Sequence, residues 1–199
     1  MNYLKATAYL VLLLTASNAH AESLPKDILT QLPKGYEVMT FLVGELNDDK
    51  LTDYLVVAHK QNEEAVFRKS GESSARPLYI FIQNQNKTFA LTKKNNDAVF
   101  AIDQGGQCDP FMDGENGLAL KNHYFTVQNG VACGSHWNDF ITFKYDTKLK
   151  DWRFHKRVIE SWHLNTSDNP NADALVADKP KITKADIKHP ILFEKYKPD

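Results

Sequence analysis

No apolar run in this sequence is long enough to cross a membrane, which takes about 20 residues. The best candidate is the segment 6–16, which follows Lys5 and precedes the tripeptide 19–21, Ala-His-Ala. A positive residue, a short apolar stretch and an A-x-A site are the three parts of a secretory signal peptide. We expect cleavage near Ala21 and a mature periplasmic or secreted protein, 22–199, with no membrane span. A retained membrane anchor is the alternative.

The sequence also lacks an excess of charge of either sign. It has 24 Lys and Arg residues against 25 Asp and Glu residues, a formal net charge of −1. Lys5 is the only charged residue of the signal segment, so the mature chain is one unit more negative. Nucleic acids and anionic membranes attract dense basic patches, whereas the lysines here are scattered. We therefore expect no nucleic-acid partner.

Cysteine is nearly absent, since Cys108 and Cys133 are the only two. The pair lacks the spacing of a zinc ribbon or finger. In an exported protein an isolated pair most simply forms one disulfide, so we expect Cys108 and Cys133 to be joined. A nucleophilic Cys133 with His136 close by is the alternative.

Glycine and proline are sparse, with nine and eight residues, whereas the chain has 11 Phe, 8 Tyr and 3 Trp. Aromatic residues favour sheets. Apolar or alternating runs predict strands at 37–43, 53–60, 76–83, 89–92, 99–102, 117–121, 123–128, 139–145, 152–159 and 191–196. The polar segment 61–75 is expected to be a loop, and short helices are expected near the termini, at 25–31 and 180–188.

Many short strands at regular spacing predict a mainly β protein with one antiparallel β domain over 22–199. The sheet could form a sandwich, a barrel or a partial propeller-like arrangement. A polar C-terminal tail segment begins after Asn165.

The segment 44–57 carries the clearest functional signal. Oxygen-bearing side chains recur at Glu45, Asn47, Asp49 and Asp53, immediately before the apolar run 54–57. Ca²⁺ takes about six to eight oxygen ligands at about 2.3–2.6 Å from a tightly curled loop, and this spacing supplies such ligands. The alternative is an acidic turn whose side chains only cap nearby backbone groups.

This segment resembles the calcium loops of FG-GAP and VCBS repeats, the blade motif of integrin-like β-propellers. Their pattern is D-x-N-x-D-G-x-x-D followed by an apolar strand. The resemblance implies metal ligation by the side chains of Glu45, Asn47, Asp49 and Asp53 and by the backbone carbonyl of Leu51. It also implies a structural Ca²⁺ that performs no chemistry.

Two residues depart from that pattern. Glu45 replaces the first Asp, and Lys50 replaces the glycine that eases a sharp turn, where a positive φ is often required. No second copy of the loop occurs, which excludes a full propeller of repeated blades. The mature chain as a whole resembles a group of uncharacterised bacterial exported proteins that carry a single such loop.

No catalytic motif is complete. The histidines form no H-E-x-x-H or related zinc pattern. Ser135 beside His136 would pair a nucleophile with a base, but the G-x-S-x-G elbow is missing. The three tryptophans, Trp137, Trp152 and Trp162, could line a sugar or peptide cleft or simply fill the core.

We therefore predict a non-enzymatic, exported binding or interaction module with one structural calcium loop, whose partner is an unknown protein or small ligand. One alternative is a periplasmic inhibitor or immunity protein against a cell-wall-degrading or other toxic enzyme. It would use the segments 105–117 and 133–138, joined by the disulfide, as its plug. A hydrolase built on Ser135 and His136 or on buried carboxylates is the third hypothesis.

Overall fold

A computed structural model describes residues 23–111, 117–134, 136–169 and 171–199. The predicted signal peptide, 1–21, lies outside the described residues. The fold is mainly β, as predicted, with two antiparallel sheets. Both sheets are open in the described part of the chain, which excludes a closed barrel there. None of the described helices has the length and apolar character that a membrane crossing needs.

The first sheet has four strands in the order of the sequence. They are β1 (Tyr36–Gly44), β2 (Asp53–Lys60), β3 (Leu78–Gln83) and β4 (Phe89–Asn95). Helix α1 (Lys26–Gln31) precedes them. Ile28 of α1 packs with apolar side chains from one face of this sheet, and Leu55 and Val57 belong to the core on the opposite face. Strand β2 is therefore buried on both faces.

The second sheet has six strands and follows in the chain. They are β5 (Leu118–Lys121), β6 (Tyr124–Val131), β7 (His136–Asp146), β8 (Asp151–Leu164), β9 (Leu175–Ala177) and β10 (Lys181–Lys184). Their order is β10-β8-β7-β6-β5, and β9 pairs with β8 as well. Strand β6 alternates strictly, so one of its faces carries Phe125 and Val127 while the other carries Thr126 and Gln128.

The main core lies between the two sheets. Leu55 and Ile80 from the first sheet share it with Phe125, Phe143 and Trp152 from the second. Two sheets that pack through their inner faces have the architecture of a β-sandwich. The sandwich is therefore favoured over the barrel and the partial propeller-like arrangement. The outer face of the second sheet points away from this core.

The segment 61–75, predicted to be a loop, instead contains helix α2 (Glu63–Ser70). The prediction was wrong because this helix buries little apolar surface: Glu63 is its one buried residue. Its ends carry ordinary helix signals. Acidic residues stand in the first turn and basic ones in the last, and Gly71 ends the helix with a φ of 72°.

Three further predictions near the ends of the sheets were wrong. The segment 99–102 runs into a short 3₁₀ turn, Ile102–Gly105, and is not a strand. The predicted helix 180–188 contains strand β10, which pairs with β8. The predicted strand 191–196 contains the 3₁₀ turn Phe193–Lys195, which packs Phe193 and Tyr196 into the core.

Candidate functional site

The acidic loop joins β1 to β2, and Glu45 organises its backbone. Glu45 Oε1 accepts hydrogen bonds from the backbone N–H groups of Asn47 at 3.1 Å, Asp48 at 2.7 Å and Asp49 at 3.3 Å. Its other oxygen, Oε2, accepts the N–H of Lys50 at 2.6 Å. A single carboxylate thus holds the loop in a tight turn. The length of the Glu45 side chain matters, because an Asp side chain is one methylene group shorter and would reach less far.

Three of the predicted ligands meet in this loop. The carboxylates of Glu45, Asp49 and Asp53 each offer an oxygen, and these oxygens all lie within 4.8 Å of one another. Each of the four carboxylate oxygens of Asp49 and Asp53 accepts one hydrogen bond, as Asp49 Oδ1 does from the Leu51 N–H at 2.8 Å. A carboxylate offers about four lone pairs, so each group retains capacity to bind a cation.

Asn47 and Leu51 were predicted as ligands through a side-chain oxygen and a backbone carbonyl. The Asn47 carboxamide is beside the cluster, where its Nδ2 donates to Asp49 Oδ2 at 2.9 Å and its Oδ1 accepts the Asp49 N–H at 3.2 Å. Leu51 contacts the cluster through its N–H. The hydrogen bonds within the loop are also those of a capped acidic turn, the alternative stated above.

Asp53 is the buried member of the cluster and holds the loop to the first sheet. It has no exposed surface. Its Oδ2 accepts the N–H of Leu46 and its Oδ1 accepts the N–H of Gln83, both at 3.0 Å. Burial raises the pKa of Asp53 from its ordinary 3.8 to about 6, and the nearby charges of Asp49 and Glu45 act in the same direction.

The loop is also attached to the second sheet. The indole Nε1–H of Trp152, in β8, donates to the carbonyl oxygen of Leu46 at 3.1 Å, and both residues are buried. A change in the loop therefore reaches the central core through Leu46. Trp152 is one of the three tryptophans considered for a cleft, and the structure places it in the core instead.

Lys50 has a positive φ of 67°, and so has Asp48, at 69°. The left-handed region at Lys50 is what the glycine of the FG-GAP pattern would supply without strain. Lys50 therefore adopts a backbone conformation that a glycine adopts more easily.

The cysteine prediction is confirmed. Cys108 and Cys133 form a disulfide. It joins the segment after the Ile102–Gly105 turn to the connection between β6 and β7. Because Cys133 carries no free thiol, the alternative of a nucleophilic Cys133 assisted by His136 is excluded for this state of the protein.

The second catalytic alternative concerns Ser135, which lies outside the described residues. His136 is described: its Nδ1 is 3.2 Å from the carbonyl oxygen of Gly134. A carbonyl only accepts, so Nδ1 carries the proton and Nε2 is the acceptor. No carboxylate forms an ion pair with His136 among the described residues.

A cavity of about 390 Å³ lies on the outer face of the second sheet. Trp162 of β8, His136 and Asn138 of β7 and Gln128 of β6 line it. Four strands contribute to the lining, because Leu175 of β9 lies there as well, and no local sequence pattern brings residues of separate strands together. The alternation within β6 and β7 was a usable signal, because it places Gln128 and Asn138 on the outer face.

Sequence reasoning also missed a buried ionic network between α2 and β3. The Arg76 guanidinium donates to Glu63 Oε2 from Nε at 2.9 Å and from Nη2 at 2.8 Å. It binds the Asp109 carboxylate through both terminal nitrogens and the Phe100 carbonyl oxygen through Nη1 at 3.2 Å. The side chains of Arg76 and Glu63 are only 1% and 3% exposed. The network therefore joins separate segments of the fold through buried charges.

No protein family, no curated protein and no solved structure matches this chain.

Proposed function

We propose that this protein is a non-enzymatic binding module that works outside the cytoplasm and whose acidic loop holds one structural Ca²⁺. The observation that carries the metal part is the convergence of the Glu45, Asp49 and Asp53 oxygens. This convergence supports a hard cation, because carboxylate oxygens are the ligands that Ca²⁺ prefers. The predicted signal peptide and the disulfide support a location outside the cytoplasm.

The ion would stabilise a loop that already has internal hydrogen bonds. Four backbone N–H groups bind Glu45, so the turn does not depend on the metal for its shape. Three carboxylates so close together repel one another, and a divalent cation removes that repulsion. The positive charge of Lys50 next to the site lowers affinity, which places the dissociation constant in the millimolar range of extracellular modules.

Calcium is expected to raise the melting temperature of the mature protein. At a free Ca²⁺ concentration ten times the dissociation constant, the stabilisation is about 1.4 kcal/mol, or roughly 3–6 °C for a domain of this size. Differential scanning fluorimetry in CaCl₂ and in EDTA measures it. An equal melting temperature in both solutions would remove the metal from the proposal.

Two variants of equal charge make this test specific. Asp49→Asn removes one carboxylate of the cluster but keeps an oxygen that accepts the Leu51 N–H, so the calcium shift should be lost. Asp48→Asn removes the same charge one residue away, outside the cluster, and should retain the shift. Asn also tolerates the positive φ of Asp48.

The calcium effect should depend on pH through Asp53. Its pKa is raised in the folded state from 3.8 to about 6, so between these values the folded protein binds more protons than the unfolded chain. The stability that protonated Asp53 contributes is therefore present at low pH and is lost as the pH rises through about 6. Ca²⁺ competes with that proton.

We accordingly expect the calcium-induced shift in melting temperature to be absent near pH 4 and to grow up to about pH 7. Melting curves with and without CaCl₂ across this range measure the dependence. A shift of the same size at both ends would show that no proton is displaced from Asp53.

A second candidate function is an inhibitor or immunity protein against a cell-wall-degrading enzyme. The observation that favours it is the disulfide, which joins the two segments predicted to form a plug. Inhibition of a cell-wall hydrolase such as lysozyme by the oxidised protein, and its loss after reduction, would support this candidate. Absence of inhibition by the oxidised protein would count against it.

A further inference from the structure

The cavity on the outer face of the second sheet results from the pairing register of β6, β7 and β8. Asn138 lies opposite Gly130 on β6, and His136 lies opposite Trp162 on β8. A Cβ atom at Gly130 would collide with Asn138 Oδ1 and would lie 2.8 Å from the carbonyl oxygen of Trp137. The glycine therefore makes room for the Asn138 carboxamide at the base of the cavity.

The polar groups of this cavity are available to a ligand. The side chains of Gln128 and Asn138 make no hydrogen bond to any of the described residues, and neither does the indole N–H of Trp162. Each carboxamide offers an acceptor oxygen and a donor NH₂ group. His136 adds an acceptor at Nε2, because its Nδ1 donates to the Gly134 carbonyl.

The described walls of the same cavity are polar but carry no permanent charge. None of the described residues that line it is Asp, Glu, Lys or Arg. A charged ligand would lose hydration without gaining an ionic partner there, which is costly. Apolar surface from Trp162, Phe111 and Leu175 completes the walls. These walls therefore favour a neutral ligand, with hydrogen-bonding groups and C–H surface on the same small molecule.

We infer that this cavity binds an uncharged carbohydrate. Sugar hydroxyls donate and accept at once, which matches carboxamides that do the same, and a pyranose ring presents C–H groups to the negative face of an indole. The volume of about 390 Å³ falls within the usual range of ligand pockets, about 300–1,000 Å³. This inference rests on the proposed binding function and names its ligand class.

A neutral peptide is the other ligand with mixed polar and apolar groups, and the geometry disfavours it. Peptides commonly bind a sheet by adding a strand at a free edge. The cavity lies over β6, β7 and β8, whose backbone groups are already paired with each other. Recognition there must come from side chains, as it does for a sugar ring.

The test is a titration of the full mature protein with maltotriose, cellotriose and N,N′,N″-triacetylchitotriose, each at millimolar concentration. Two-dimensional ¹H–¹⁵N NMR follows the tryptophan indole N–H signals, and triglycine is titrated in parallel as the peptide probe. At least one trisaccharide should shift the Trp162 indole signal in a saturable manner. If no trisaccharide shifts it, or if only triglycine does, the inference is wrong.

Three variants locate the site. Trp162→Ala and Gln128→Met, measured by isothermal titration calorimetry because the first variant lacks the indole signal, should each weaken binding on the order of tenfold or more. A site built to bind hydroxyl groups loses affinity when a partner is removed. Leu164→Ala should leave binding unchanged, since Leu164 lies on the same strand but outside the cavity and is 74% exposed. Equal affinity in Trp162→Ala, Gln128→Met and the unmodified protein would place the sugar elsewhere and overturn the inference.

Calcium titrations keep the two proposals separate. The cavity and the acidic loop share no residue. A protein that melts higher in CaCl₂ but binds no trisaccharide retains the calcium loop and loses the carbohydrate site. A protein that binds a trisaccharide equally in CaCl₂ and in EDTA, with no change in melting temperature, retains the carbohydrate site and loses the metal.

Discussion

Replacing Arg76 with Met should destabilise the protein by about 3–5 kcal/mol, the usual cost of removing one partner from a buried ionic network. The destabilisation arises because the substitution leaves carboxylate charges behind. Arg76 holds the carboxylates of Glu63 and Asp109 together while its own side chain is 1% exposed. Without the guanidinium, the carboxylates of Glu63 and Asp109 would lose the cation that they share, and the side chain of Glu63 is only 3% exposed.

Urea denaturation of Arg76→Met and the unmodified protein measures this effect. Arg68→Met is the matched control, because Arg68 pairs with Glu64 on α2 but its side chain is 77% exposed. That control should change the free energy of unfolding by less than about 1 kcal/mol. Equal, small losses in both variants would show that the buried network contributes little.

Replacing both Cys108 and Cys133 with Ala should cost about 3.5 kcal/mol of stability, the chain-entropy value for a loop of about 26 residues. The disulfide acts mainly on the unfolded chain, whose freedom it restricts, so the native fold should persist in the variant. Circular dichroism checks the fold, and urea denaturation measures the loss.

Dithiothreitol provides the internal control for the disulfide. It should lower the stability of the unmodified protein to about that of the double variant and should leave the variant unchanged. If the reductant destabilised both proteins equally, its effect would not come from the Cys108–Cys133 bond.

The strands were largely predictable because burial imposes visible patterns. The continuous apolar run in β2 and the alternation in β6 and β7 each correspond to a core face. Helix α2 was missed because it has no apolar face, although its charged ends and Gly71 were readable. Strand β10 was missed because all four of its residues are exposed, so no alternation shows in the sequence.

The two candidate sites also differ in how far the sequence alone predicts them. The acidic loop is contiguous in sequence, and its spacing alone predicted that Glu45, Asp49 and Asp53 would meet. The cavity on the outer face of the second sheet depends on the register that sets Asn138 opposite Gly130 and His136 opposite Trp162, and a single sequence does not contain that register. The sequence pointed to Trp162 only together with Trp137 and Trp152, as residues that could line a cleft or fill the core.

The calcium loop is the centre of this account, and a crystal structure of the mature protein grown in CaCl₂ tests it most directly. Anomalous scattering should show one ion at about 2.3–2.6 Å from oxygens of Glu45, Asp49 and Asp53. A loop with the same hydrogen bonds from Glu45 to the backbone, and no anomalous peak among the three carboxylates, would identify a capped acidic turn and contradict the account.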